Sequence, residues 1–83
     1  MLEQYNKVWL SRDMGNRGNI DLWSSRPEYN CDSGMFWIEG CRLAFQYQHY
    51  GWGGKHNGDL LDHLTNQLGT PKPGELWEIE LYD

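Results

Sequence analysis

Residues 5–24, YNKVWLSR followed by DMGNRGN and IDLWS, decide the fold. From Tyr5 to Arg12 the side chains alternate: Val8 and Leu10 fall on one side, Lys7, Trp9 and Ser11 on the other, which is the period-two pattern of a half-buried strand. Asp13 to Asn19 then concentrates Gly and Asn, residues that tolerate positive φ, so the chain turns back through a hairpin with a long tip. In the return strand Ile20, Leu22 and Ser24 alternate with Asp21 and Trp23. Pro27 stops the run, because it has no N–H to give to a ladder.

Beyond this hairpin, RPEYNCDSG (26–34) reads as a loop by composition. MFWIE (35–39), bounded by Gly34 and Gly40, is too short for a helix and rich in aromatic and β-branched residues, hence a third strand. Cys41 to Gln48 alternates again, with Leu43, Phe45 and Tyr47 on one face and Arg42, Ala44 and Gln46 on the other, and is expected to pair with the third strand across Gly40. The period then changes to about 3.6. Leu60, Leu61, Leu64 and Leu68 form a helical stripe, Asn57 or Asp59 can cap its start, and Gly69 stands where a left-handed C-terminal residue belongs. TPKPG (70–74) is a stiff connector, since two prolines preclude helix and ladder alike. Leu76 to Tyr82 closes the series as a strand, with Trp77, Ile79 and Leu81 alternating with Glu78, Glu80 and Tyr82.

These elements predict a single α+β domain over residues 1–83: a mostly antiparallel four- to five-stranded sheet with one short amphipathic helix. A chain of this length buries only roughly 60% of its unfolded surface, so five Trp, five Tyr and two Phe must supply much of the core. There is no run of eighteen apolar residues, and MLEQYNKVWL lacks the basic-then-apolar order of a secretory leader. The expected location is cytoplasmic, with no membrane partner.

The net charge of −5 is unevenly placed. Residues 1–58 carry six basic and six acidic side chains, whereas residues 59–83 hold Asp59, Asp62, Glu75, Glu78, Glu80 and Asp83 against Lys72 alone. A surface of that sign repels phosphate backbones, so direct nucleic-acid binding is disfavoured and a protein partner with a basic surface is favoured.

Candidates for chemistry are sparse. His49, His56 and His63 recur every seven residues but are not expected to share a helix, and no Cys-x2-Cys or His-x3-His spacing points to a metal. Cys31 and Cys41 read as two reduced thiols, a disulfide closing a short loop being the alternative. Glu78 and Glu80 stand about 7 Å apart on one side of a strand, a spacing open to acid–base work. Alternation alone explains them as the solvated side of an edge strand. Gly51 to Lys55 lacks the Ser or Thr after Lys that a phosphate loop requires. The expectation is a non-enzymatic protein without cofactor or metal.

The stretch QYQHYGWGGKHNG (46–58) has the composition of a contact loop. Tyr47, Tyr50 and Trp52 offer wide amphipathic rings, and the interleaved glycines and Asn57 allow adaptable geometry. The competing assignment folds Trp52 back to cap a core too small to close itself. Exposed rings beside Asn and Gln also suit a carbohydrate platform, and base stacking on Trp9, Trp23 or Trp37 would need a basic groove that the charge count does not offer.

The series Val8-Trp9-Leu10-Ser11-Arg12-Asp13, a glycine-containing turn, then Ile20-Asp21-Leu22-Trp23-Ser24-Ser25-Arg26-Pro27 resembles the opening of small phage and prophage accessory proteins. The resemblance covers about a quarter of the chain, which departs from it by a longer turn and an inserted helix. It implies a compact cytosolic protein, a monomer or small homo-oligomer, that binds a host protein. Some proteins of that kind look like inhibitors of bacterial defence systems such as CRISPR effectors. The sites expected to carry binding are then Tyr47, Tyr50 and Trp52 as anchors and Asp59, Asp62, Glu75, Glu78, Glu80 and Asp83 as charge. A structural or assembly component of a phage or host complex is the alternative.

Overall fold

The computed structural model describes residues 6–15, 18–46 and 58–81. The elements are β1 (Lys7–Arg12), β2 (Ile20–Trp23), β3 (Glu28–Asn30), β4 (Met35–Trp37), β5 (Arg42–Gln46), α1 (Gly58–Leu68) and β6 (Leu76–Glu80). The fold is α+β. β5, β2, β1 and β6 form an antiparallel sheet in that order, and β3 and β4 pair as a separate two-stranded sheet.

The hairpin read from residues 5–24 is present, with Trp9 opposite Trp23 and Leu10 opposite Leu22. Gly18 takes a φ of +71° within its tip, and the Arg12 side chain closes the turn by donating to the Gly18 carbonyl. β6 lies along the other edge of β1, with Val8 opposite Ile79 and Leu10 opposite Trp77. Alternation therefore sends Trp77 and Ile79 to the same side as Val8 and Leu10, and Glu78 and Glu80 to the other.

On that first face Val8, Leu10, Ile20, Leu22 and Ala44 meet Leu60, Leu61 and Leu64 of α1 to form the core. Burying a leucine fully contributes roughly 1.5–3 kcal/mol, so the three helix leucines carry most of what holds α1 down. Leu68, the last residue of the helix, departs from the expected stripe and is half exposed. Gly69 follows at φ +82° and donates its N–H to the Thr65 carbonyl, which ends the helix as expected. Asp59 lies within the first turn of α1 rather than before it, and Asn57 is outside the described residues.

Three expectations are corrected. The 26–34 stretch is not wholly a loop, since Glu28–Asn30 is a strand. The third predicted strand pairs with that segment, Glu28 opposite Trp37 and Asn30 opposite Met35, instead of crossing Gly40 to join Arg42–Gln46. The partner of β5 is β2. The predicted faces of β5 are also redistributed. Leu22 stands opposite Ala44 but Trp23 opposite Arg42, so Leu43 is an extra residue, a bulge that resets the alternation. Ala44 consequently joins the helix-side core with Leu43 packed beside it, while Arg42 and Phe45 share the opposite face.

That opposite face is covered by the β3–β4 hairpin, so β2 is buried on both sides: Asp21 and Trp23 are as inaccessible as Ile20 and Leu22. The hairpin is docked by its turn. Met14 and Gly15 both donate backbone N–H groups to the Gly34 carbonyl, at 2.8 and 3.1 Å, bringing two chain reversals into backbone contact. Asn30 shapes the second reversal, its Oδ1 accepting from the Asp32 and Ser33 amides as an Asx turn. Among the described residues no helix is long and apolar enough to cross a membrane.

Candidate interaction surface

The expected anchors Tyr47, Tyr50 and Trp52 lie outside the described residues, as do His49, His56 and Asp83. The acidic positions that are described do not share one face. Glu78 and Glu80 project from the side of β6 opposite the core. Asp62 is exposed on α1, which packs on the core side, so the sheet separates it from them. Glu75 belongs to the connector, where its Oε1 accepts the Lys72 amide at 2.7 Å and closes a turn. Glu78 is in turn engaged by Lys7 on the neighbouring strand, 3.3 Å away, with both side chains about half exposed. A pair so placed contributes at most about 1 kcal/mol and leaves Glu78 available to a stronger partner. His63 is exposed on the helix, and Cys31 and Cys41 are free thiols. No metal-holding group of His, Cys, Asp and Glu occurs among the described residues.

Apart from Leu68 on α1, the large exposed apolar groups among the described residues gather on and beside the β3–β4 hairpin: Met14 is 63% exposed, Trp37 53% and Tyr29 42%. Their orientation is fixed from beneath. Trp37 meets the buried ring of Trp23 edge-on at 5.9 Å, and Tyr29 leans on Phe36 at 4.9 Å. The Tyr29 hydroxyl donates to the Met14 sulfur at 3.9 Å, joining the hairpin to the β1–β2 tip. Rings held this way lose little freedom on binding, which is what makes aromatic side chains effective anchors. Between the hairpin and the start of β6 runs an open groove of about 760 Å3, lined by Arg26, Pro27, Glu28, Tyr29, Phe36, Gly74 and Leu76. Leu76 lies on the same side of β6 as Glu78, so the groove opens on the carboxylate side of the sheet. Trp9, directly opposite Glu78, is half-buried on that side, and its buried Nε1 has no hydrogen-bond acceptor.

Beneath the hairpin lies a polar cluster that sequence reasoning did not single out. Asp13 and Asp21 are both buried. Asp13 Oδ1 accepts the Phe36 amide at 3.0 Å, and Asp21 Oδ1 is 3.6 Å from Arg42 Nη1. The Arg42 guanidinium lies 4.2 Å from the centroid of Phe45 and 5.5 Å from that of Trp37, clamped between rings. Burial pushes the Asp21 carboxyl up to about 7, the Asp13 charge adds to the rise, and Arg42 opposes it. Asp13 and Asp21 are buried beneath the hairpin, whereas the Arg42 side chain reaches solvent at the edge of the cluster.

The hairpin surface escaped prediction because Tyr29 stood in a stretch read as a loop and Trp37 in a strand read as pairing with Cys41 to Gln48. A signal was present: Glu28-Tyr29-Asn30 and Met35-Phe36-Trp37 flank a four-residue reversal ending in Gly34, which takes a φ of +72°. Comparison with protein-family models, with curated proteins and with solved structures found no match.

Proposed function

We propose that the chain is a non-enzymatic binding protein that attaches to a basic surface of another protein through the side of the sheet bearing Glu78, Glu80 and the β3–β4 hairpin. The observation that carries this reading is the concentration of exposed Met14, Tyr29 and Trp37 around one rigid hairpin, next to a groove on the carboxylate side of β6. Trp37 and Tyr29 are the packed anchors; Glu78 and Glu80 supply electrostatic steering and fix the sign of the partner. The likeness of residues 8–27 to phage accessory proteins makes the partner a host protein, of a defence or nucleic-acid-handling kind, inhibited because carboxylates occupy positions where phosphates would bind.

An affinity pull-down from bacterial lysate, read by mass spectrometry, identifies the partner. With it in hand, Trp37→Ala is expected to weaken binding by about 30-fold or more, the scale of a hot-spot residue at roughly 2 kcal/mol. Glu78→Lys combined with Glu80→Lys is expected to slow association and to flatten its decline with salt. Affinity that is the same at low and high salt and indifferent to all three substitutions would falsify this reading.

A further inference from the structure

We infer that the outer edge of β6 takes up an extended segment of the partner protein as a further antiparallel strand, one with basic side chains on one side and apolar side chains on the other. β6 stands at one end of the order β5-β2-β1-β6, and among the described residues no strand pairs with its far side. The register fixes which groups face outward. Arg12 donates its N–H to the Glu75 carbonyl at 3.1 Å and Leu81 donates to the Asn6 carbonyl at 2.8 Å, so Trp77 and Ile79, in step with them, turn their backbone groups to β1. Leu76, Glu78 and Glu80 turn theirs to the outer edge, and such a row of donors and acceptors is a template for strand addition.

The two ends of the sheet differ as templates. β5 is interrupted by the bulge at Leu43, and a bulge is one of the devices that blunt a strand edge. β6 keeps an unbroken register from Leu76 to Glu80 and contains neither Pro nor Lys. Its faces define the occupant. Glu78 and Glu80 are exposed on one, while Trp77 and Ile79 are only partly buried on the other. Directly opposite residues of an antiparallel pair send their side chains to the same side. Lys or Arg opposite Glu78 and Glu80, with apolar residues opposite Trp77 and Ile79, therefore matches the strand on both faces. A second copy does not, because β6 laid antiparallel on β6 sets Glu78 against Glu78 or Glu80 of the other chain.

Lys7 engages Glu78 from the β1 side at 3.3 Å, which leaves the approach from the outer edge to the incoming cation. The groove beside the start of β6 adds selectivity, since a side chain opposite Leu76 points to the side on which Leu76, Tyr29 and Phe36 line it. Main-chain bonds then hold the segment, and the carboxylates and the groove choose its sequence. This assignment rests on the binding reading above and adds the mode in which the partner's chain is held.

The test begins with amide hydrogen exchange of the free protein. The Glu78 and Glu80 amides are expected to exchange within about tenfold of their intrinsic rates, and the Ile79 amide at least about a hundredfold more slowly than its own. Equal protection at all three overturns the proposal, because the edge is then already filled. The probe is a capped octapeptide of alternating Lys and Val at low ionic strength. At about ten times its Kd it should slow exchange at Glu78 and Glu80 about tenfold. N-methylation of every Val should leave its affinity unchanged, because the Lys amides are the ones that face Glu78 and Glu80. N-methylation of every Lys should weaken it at least about tenfold. A peptide of alternating Glu and Val should not bind. Equal affinity of the two methylated peptides, binding of the Glu peptide as tight as that of the Lys peptide, or no binding of the Lys peptide would each overturn strand addition. The binding reading fails separately. In the complex with the protein recovered by pull-down, slowed exchange at Phe36 and Trp37 with Glu78 and Glu80 unchanged keeps that reading and overturns strand addition. Slowed exchange at Glu78 and Glu80, with Trp37→Ala without effect on affinity, keeps strand addition and removes the hairpin from the interface.

Discussion

Trp23→Ala is expected to lower the unfolding free energy by about 3–5 kcal/mol, the range for removing a large aromatic from a packed interior. Trp23 is inaccessible to solvent, donates to Ser11 Oγ at 2.8 Å, and supports Trp37 edge-on at 5.9 Å. Its loss therefore opens a cavity between sheet and hairpin, leaves the buried Ser11 hydroxyl without its donor, and removes the floor under the exposed ring. A chain of 83 residues has in all roughly 4–12 kcal/mol of stability, so the variant stands close to the unfolding threshold at ambient temperature. Trp23→Phe keeps a ring but not the N–H and should cost about half as much. Urea denaturation reads both. A loss below about 1 kcal/mol for Trp23→Ala would mean that the hairpin does not rest on this side chain.

Gly34→Ala is expected to cost about 2–4 kcal/mol, from two separate causes. The residue has a φ of +72°, and a Cβ there would stand 2.7 Å from the backbone N of Gly15, an atom that cannot rotate away. Relieving the clash parts the two reversals and weakens both bonds to the Gly34 carbonyl. Gly40 supplies the comparison, because its φ of +75° is similar but nothing lies within 4 Å of a Cβ built on it. Gly40→Ala thus reports the backbone strain alone, about 1 kcal/mol. Equal midpoints in denaturant for the two variants would show that the contact between the reversals contributes nothing.

The parts of the fold legible in sequence are those where one local signal decides. Val8 and Leu10 against Ile20 and Leu22 gave the first hairpin its faces, the leucine spacing in 60–64 gave the helix, and alternation in 76–80 placed Trp77 inward and Glu78 outward. Pairing was less legible, because it depends on competition between strands. MFW could join either neighbour, and what decided it was the docking of Gly34 on Gly15, a contact between residues far apart in sequence. The bulge at Leu43 was invisible for a related reason. Its neighbours Arg42 and Phe45 are placed by Asp21 and Trp23 of another strand, and no local pattern records that.

The candidate site divides in the same manner. Glu78 and Glu80 were found by charge and lie where alternation put them. The charge count also included Asp62, on the other side of the sheet, because a sum over sequence carries no information about sides. Asp13 and Asp21 entered that count only as negative charges within a neutral segment, although they are the two buried carboxylates among the described residues. A buried acid is announced by its surroundings, and those are assembled only when β5 and the hairpin arrive.

The seat of β1 between β2 and β6 also bears on how the protein is made. β2 leaves the ribosome shortly after β1, but Ile79, which lies opposite Val8, follows it by 71 residues. Until then the nascent chain carries β1 with one ladder edge vacant, beside the apolar side chains of Val8 and Leu10. The same vacancy can be filled by the Leu76–Glu80 segment of another copy, reached through the proline-containing connector. Rapid, concentrated expression should therefore favour strand-exchanged dimers, and slow expression the closed monomeric sheet.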